Sequence, residues 1–240
     1  MMASPLASQH ALVWGSLTGP SASKEAQALE LCRQYVERKV AGVFFAPLER
    51  SPAKDEVNER IVRTLDEARI PIVLLDRPAV PYPGRGRHDL VGIDNRRAGL
   101  VVAEHLLRLG ARRVAFVAVP NAAATVDARE AGYREALFVH GIAFDPALAR
   151  RLDPADVQAV RALLESGRPD GIVCANDWTA ARVLHSLLAL GASVPGDVRM
   201  AGIDDVDYAA LLPVPLTTLR QPTREIGAAE LAATLGRVPG

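Results

Sequence analysis

The sequence is poor in the features that commit a chain to redox, metal or membrane chemistry. It has only two cysteines, Cys32 and Cys174. Both sit in apolar surroundings and read as buried thiols rather than as a redox or metal pair. It has no excess of either charge, with 28 Lys plus Arg against 28 Asp plus Glu. There is no basic run and no helix-turn-helix pattern, so this chain alone is not expected to grip DNA. Its longest apolar runs fall well short of a membrane span. The opening MMASPLASQH lacks a basic segment followed by an apolar one, so no secretory signal is expected and a cytoplasmic protein is the simplest reading. The GxGxxG, GxxxxGK[ST] and GxSxG motifs of nucleotide folds and hydrolases are missing. The five histidines (His10, His88, His105, His140, His185) form no metal-ligand spacing, and His105 and His185 lie within helical patterns as structural residues. No cofactor, metal or enzymatic activity is expected.

What the chain does have is core-forming sequence. Apolar residues make up 49% of 240, enough for one large domain or two lobes. Short apolar runs alternate with amphipathic stretches along most of the length. Strands are expected at 11–17, 40–46, 70–75, 90–93, 114–119, 171–175 and 198–203. Helices are expected at 24–39, 55–68, 96–109, 127–138, 179–190 and, opened by Pro154, up to Ser166. Ser23 is a candidate cap, and Gly110 and Gly191 are placed as stops. Such alternation predicts an α/β fold with right-handed crossovers and mostly parallel sheets.

Residues 170–222 are the most informative stretch. Two buried-strand runs there each end in a polar pair, Asn176-Asp177 and Asp204-Asp205, with a helix between them. In an open α/β sheet, ligands sit beyond the carboxyl ends of the strands. Asp76 and Asp94-Asn95 follow two earlier strands in the same way. Taken singly, each of these residues is more readily a helix cap than a ligand contact. Together they would line a mouth suited to a polyol, whose hydroxyls both donate and accept. Trp178 either stacks on a sugar ring or packs under its own loop. Arg129, in AREAGY, is either a solvated surface residue or a binding fork. Two carboxylates at neighbouring strand ends also admit a glycosidase pair, which nothing else supports.

The CANDxxA turn, the VPGDVxxxGIDD segment and the closing LTTLRQPxxxIG resemble the effector-binding domain of the lactose- and galactose-repressor regulators. That domain shares the two-lobed fold of periplasmic sugar-binding proteins. The likeness is strong over about residues 90–227 and weaker upstream. It implies a first lobe of residues 1–92 plus 214–240 and a second of 93–213, with an effector, a sugar or sugar derivative, in the cleft between them. It implies effector contacts from Asp76, Arg129, Asn176 and Asp204, and from Asp94 as in some family members. Trp178 is added as a candidate stacking face. Asp177 and Asp205 are implied as caps or hinge contacts. The family's domain opens with a strand and helix before the segment matching Ala11, and continues past the residues that end here. The resemblance therefore implies a domain truncated at both ends, with an incomplete first lobe and without its DNA-binding headpiece. A homodimer with no membrane contact, binding DNA only through that headpiece, completes the expectation. The alternative is the solute-binding receptor of a sugar transporter.

Overall fold

The computed structural model describes Val13, Gly15 and residues 23–237. Apart from Val13 and Gly15, the strand expected at 11–17 lies outside the described residues. The chain divides into two compact units, one holding Ile93–Gln221 and the other the chain up to Gly92 together with that from Pro222 onward.

In the first unit, α1 (Lys24–Glu37) begins where the Ser23 side chain accepts from the Ala26 amide at 3.2 Å. It leads to β1 (Val43–Phe45), α2 (Lys54–Glu67), β2 (Ile72–Leu75) and β3 (Asp89–Val91). The three strands are parallel in the order β1-β2-β3. Val57, Ile61 and Leu65 form the buried stripe of α2, at the i, i+4, i+8 spacing expected of a core-facing helix. They share a cluster with Ile72 and Leu74 of β2 and with Ala28 and Cys32 of α1. After the return, α7 (Thr223–Leu235) packs against all three strands.

The second unit carries a five-stranded parallel sheet. Its elements are α3 (Asn95–Arg108), β4 (Val114–Ala118), α4 (Ala124–Val139), β5 (Ala149–Arg151), α5 (Val157–Gly167), β6 (Gly171–Cys174), α6 (Asp177–Ala189), β7 (Arg199–Asp204) and β8 (Thr217–Arg220). The strand order is β5-β4-β6-β7-β8. Side chains alternate faces along each strand. Val114, Phe116 and Val173 join α3 and α4 in one core, whereas Ala115, Val117, Ile172 and Cys174 join α5 and α6 in another. Burial on both faces is why these strands read as unbroken apolar runs rather than as alternating ones. Gly110 and Gly191 end their helices at φ 95° and 78°, a conformation that costs a side chain.

Three of the boundaries that differ from expectation have a local physical cause. The crossing back to the first unit falls at Pro222 rather than 214, because β8 pairs in register with β7 from Ala201↔Thr217 to Asp204↔Arg220. Helix α5 is opened by Asp156, whose carboxylate accepts from the Gln158 amide at 2.9 Å, and not by Pro154. Helix α4 begins at Ala124 rather than 127, with no side-chain cap to announce it.

A candidate effector site at the strand ends

Within the second unit, Arg129 organises the polar residues at the carboxyl ends of β6 and β7. Its side chain is 3% exposed, so the reading of a solvated surface arginine is wrong. Its Nε donates to Asn95 Oδ1 at 2.8 Å and its Nη1 to the Ala175 carbonyl at 2.6 Å. Nη1 also lies 3.7 Å from Asp204 Oδ1. These partners come from the start of α3, the end of β6 and the end of β7. A buried guanidinium is tolerable only when its fork meets acceptors. Because α4 starts at Ala124, Arg129 stands in the second turn, where the helix dipole opposes it less than a first-turn position would.

Arg129 can reach this position because α3 and α4 touch backbone to backbone. A Cβ on Gly99 would lie 1.9 Å from the Arg129 carbonyl oxygen, and one on Gly132 would lie 1.8 Å from that of Arg96. Glycine at both positions is a requirement of the crossing.

Asp204 ends β7 with φ 137°, and Asp205 follows at 58°. Two consecutive non-glycine residues in this region mark a turn held by its surroundings. The Asp204 carboxylate accepts from Gln221 Nε2 at 2.7 Å. Asp205 accepts from Arg220 Nε.

The remaining candidates divide clearly. Asn176 caps α6 through Oδ1, accepting from the Thr179 amide at 2.9 Å, and its amide nitrogen is a donor that the cap does not use. Asp94 is exposed and caps α3, accepting from the Arg97 amide at 2.9 Å. Trp178 lies half-buried in the first turn of α6 with the Arg182 guanidinium 4.3 Å from its ring centroid, so one face is already taken by a cation. Asp177 is fully buried and accepts from the Thr218 hydroxyl and the Val206 amide. Reading the sequence missed Asn95 as the holder of Arg129, and Gln221 and Thr218 on the return segment. The only local signal was that these polar side chains stand beside strand ends.

Asp76 belongs to the first unit. It stands at the end of β2 with φ 65°, its amide donating to the Val91 carbonyl at 2.8 Å. Its Oδ2 pairs with Arg77 at 3.2 Å, while its buried Oδ1 has no hydrogen-bond partner. On α7 of the same unit, Glu230 is 1% exposed and its Oε1 is likewise without a partner. Burial, with the Asp76 carboxylate in support, pushes its pKa up to about 7. Burial also raises the Cys32 and Cys174 thiols above their ordinary range, which leaves both unreactive. Among the described residues no group of three His, Cys, Asp or Glu converges as a metal site, and no helix is long and apolar enough to cross a membrane.

The sequence profile of the periplasmic binding protein-like domain matches residues 103–240. The chain belongs to that family. Its relatives in the family are transcription regulators. The HTH-type transcriptional regulator CelR of Thermobifida fusca is 32% identical over 206 residues, which cover 84% of this chain and 58% of CelR. DegA of Bacillus subtilis (strain 168), another HTH-type transcriptional regulator, is 30% identical over 207 residues, with the same two shares, 84% and 58%. The chain thus spans less than two thirds of the length of these relatives. Among solved structures, a complex of the regulator CelR with cellobiose superposes with a TM-score of 0.76 at 30% identity, covering 89% of this chain and 64% of that one. A LacI-family regulator from Enterococcus faecium with bound ribose gives 0.72 at 27% identity, covering 88% and 76%. Within the family, the likeness is to the effector-binding domain of the lactose- and galactose-repressor regulators.

Proposed function

We propose that this chain is the effector-sensing domain of a transcription regulator, and that its effector is a sugar or sugar derivative. The observation that carries the reading is the buried Arg129 fork, held by Asn95 and the Ala175 carbonyl beside the Asp204 carboxylate. A pre-oriented guanidinium next to a carboxylate offers fixed donors and acceptors to neighbouring hydroxyls, at little reorganisation cost on binding. Asn176, through its unused amide nitrogen, and Asp204 complete the polar set in the second unit, with Trp178 as a stacking face. Asp94 is a cap first and a ligand contact second. Cellobiose and ribose on related regulators support a sugar here, and regulator relatives favour this reading over a transporter's solute receptor.

In the parent regulator, effector binding shifts a cytoplasmic homodimer between DNA-binding states through its differential affinity for them. DNA contact is assigned to a headpiece of the kind the relatives' names declare. The domain itself performs no catalysis. Isothermal titration calorimetry with a panel including cellobiose and ribose tests the reading. Asp204→Ala is expected to weaken whichever sugar binds by about 1.5–3 kcal/mol, the value of a hydrogen bond to a charged group. Unchanged affinity in a folded Asp204→Ala variant removes Asp204 from the site. Failure of every sugar in the panel refutes the sugar assignment.

A further inference from the structure

The turn that presents Asp204 is fastened by two side chains, Asp177 and Thr218. We propose that they form a lock that sets the geometry of the binding carboxylate. The proposal rests on the reading that Asp204 meets the effector, and it makes Asp177 and Thr218 positioning residues.

Asp177 opens α6, where an acidic residue already favours the helix dipole. An exposed side chain would serve that purpose. Asp177 is instead 0% exposed, and both carboxylate oxygens are engaged with the segment after β7. Oδ2 accepts from the Val206 amide at 3.1 Å, and Oδ1 accepts from the Thr218 hydroxyl at 2.7 Å. The same hydroxyl oxygen accepts from the Asp205 amide at 3.2 Å. A hydroxyl that donates to an acidic oxygen is polarised and becomes a better acceptor, so the chain from Asp205 through Thr218 to Asp177 is mutually reinforcing.

These bonds grip the two amides immediately after Asp204. The backbone there has positive φ at both Asp204 and Asp205, a conformation that persists only when its surroundings over-determine it. Space for the lock is also provided by sequence. A Cβ on Gly202 would stand 2.3 Å from Asp177 Oδ1, so a glycine in β7 admits the carboxylate against the strand. Strand β8 delivers Thr218 opposite Gly202, its register partner. Three elements thus meet at one buried carboxyl group, and the residue they constrain is the candidate ligand group.

The test uses the full chain with Thr218→Val, of the same shape but without the hydroxyl, and Thr218→Ser, which restores it. Amide hydrogen exchange by NMR is read at Asp205 and Val206 and at residues 171–174 of β6, and cellobiose is titrated by calorimetry. Thr218→Val is expected to speed exchange at Asp205 and Val206 about tenfold or more while β6 is unchanged, and Thr218→Ser to return it. Cellobiose Kd is expected to rise about tenfold in Thr218→Val, but not to rise further when Thr218→Val is added to Asp204→Ala. A merely structural role would weaken both backgrounds alike. Unchanged exchange at Asp205 and Val206 overturns the lock, whether or not a sugar binds. Faster exchange with unchanged Kd overturns the positioning role. If the wild-type chain takes up no cellobiose, the sugar reading fails for that probe and the exchange result alone decides the lock. Should Thr218→Val not fold, Asp177→Asn keeps the shape and one acceptor oxygen. It is expected to show the same selective loss of protection at smaller amplitude, and equal protection to wild type would overturn the lock.

Discussion

Replacing Gly132 by alanine tests how the second unit brings Arg129 to its partners. The new Cβ would stand 1.8 Å from the Arg96 carbonyl oxygen and 2.7 Å from the Leu100 amide nitrogen, where ordinary contact begins at 3.4 Å. Both neighbours are backbone of a packed helix and cannot rotate away. Helices α3 and α4 must therefore part by about 1.5 Å, a shift that core overpacking costs typically put at about 1–3 kcal/mol. Separation draws Arg129 from the Ala175 carbonyl and from Asn95, now at 2.6 and 2.8 Å. Stretching bonds from a buried charged donor adds about 1.5–3 kcal/mol. Against this stands the higher helix propensity of alanine, about 1 kcal/mol. The expected net loss is about 1.5–5 kcal/mol, read from urea denaturation of the variant beside wild type. Sugar affinity should fall in the same variant, because Arg129 has moved. A Gly132→Ala protein as stable as wild type, with equal sugar affinity, would refute the close crossing and its part in placing Arg129.

Two further outcomes follow from buried groups. Glu230 has its pKa raised by burial and by Asp76 to about 7, against 4.5 for a free carboxyl. The folded state therefore holds a proton that the unfolded state has released between those values. Stability should fall as pH rises from about 4.5 to about 7 and level off above it, by at most about 3 kcal/mol. Glu230→Gln should flatten that window in denaturation curves taken at several pH values, and an unaltered slope would show that Glu230 does not titrate there. Tyr133, fully buried on α4, donates to the Val114 carbonyl at 2.7 Å. Tyr133→Phe should cost about 1–2 kcal/mol by urea denaturation, and a neutral result would mean that the carbonyl finds another donor.

Most local elements were legible in the sequence alone, although the starts of α4 and α5 were misplaced and β5 and β8 were not expected. The i, i+4, i+8 stripe of α2, the apolar run of β6 and the caps Ser23, Asp94 and Asn176 depend on residues a turn or two apart, so their signals survive without the fold. It also placed polar side chains at strand ends, since a strand's apolar run must stop where burial stops. Tertiary structure decided what those side chains do. Arg129 is already a candidate binding fork in the sequence, but its burial and its partners exist only because Gly99 and Gly132 let two helices meet and β6 offers a carbonyl to its fork. Nothing in the sequence marks out Glu230, and only the packing of α7 against the first unit's sheet buries it. Asp177 could have been one more cap. The pairing of β8 with β7 brings Thr218 to it across forty-one residues, and the same pairing moves the return from 214 to Pro222. Contacts of that span depend on which strands lie side by side, and a single sequence holds that information only in the summed packing of the whole chain.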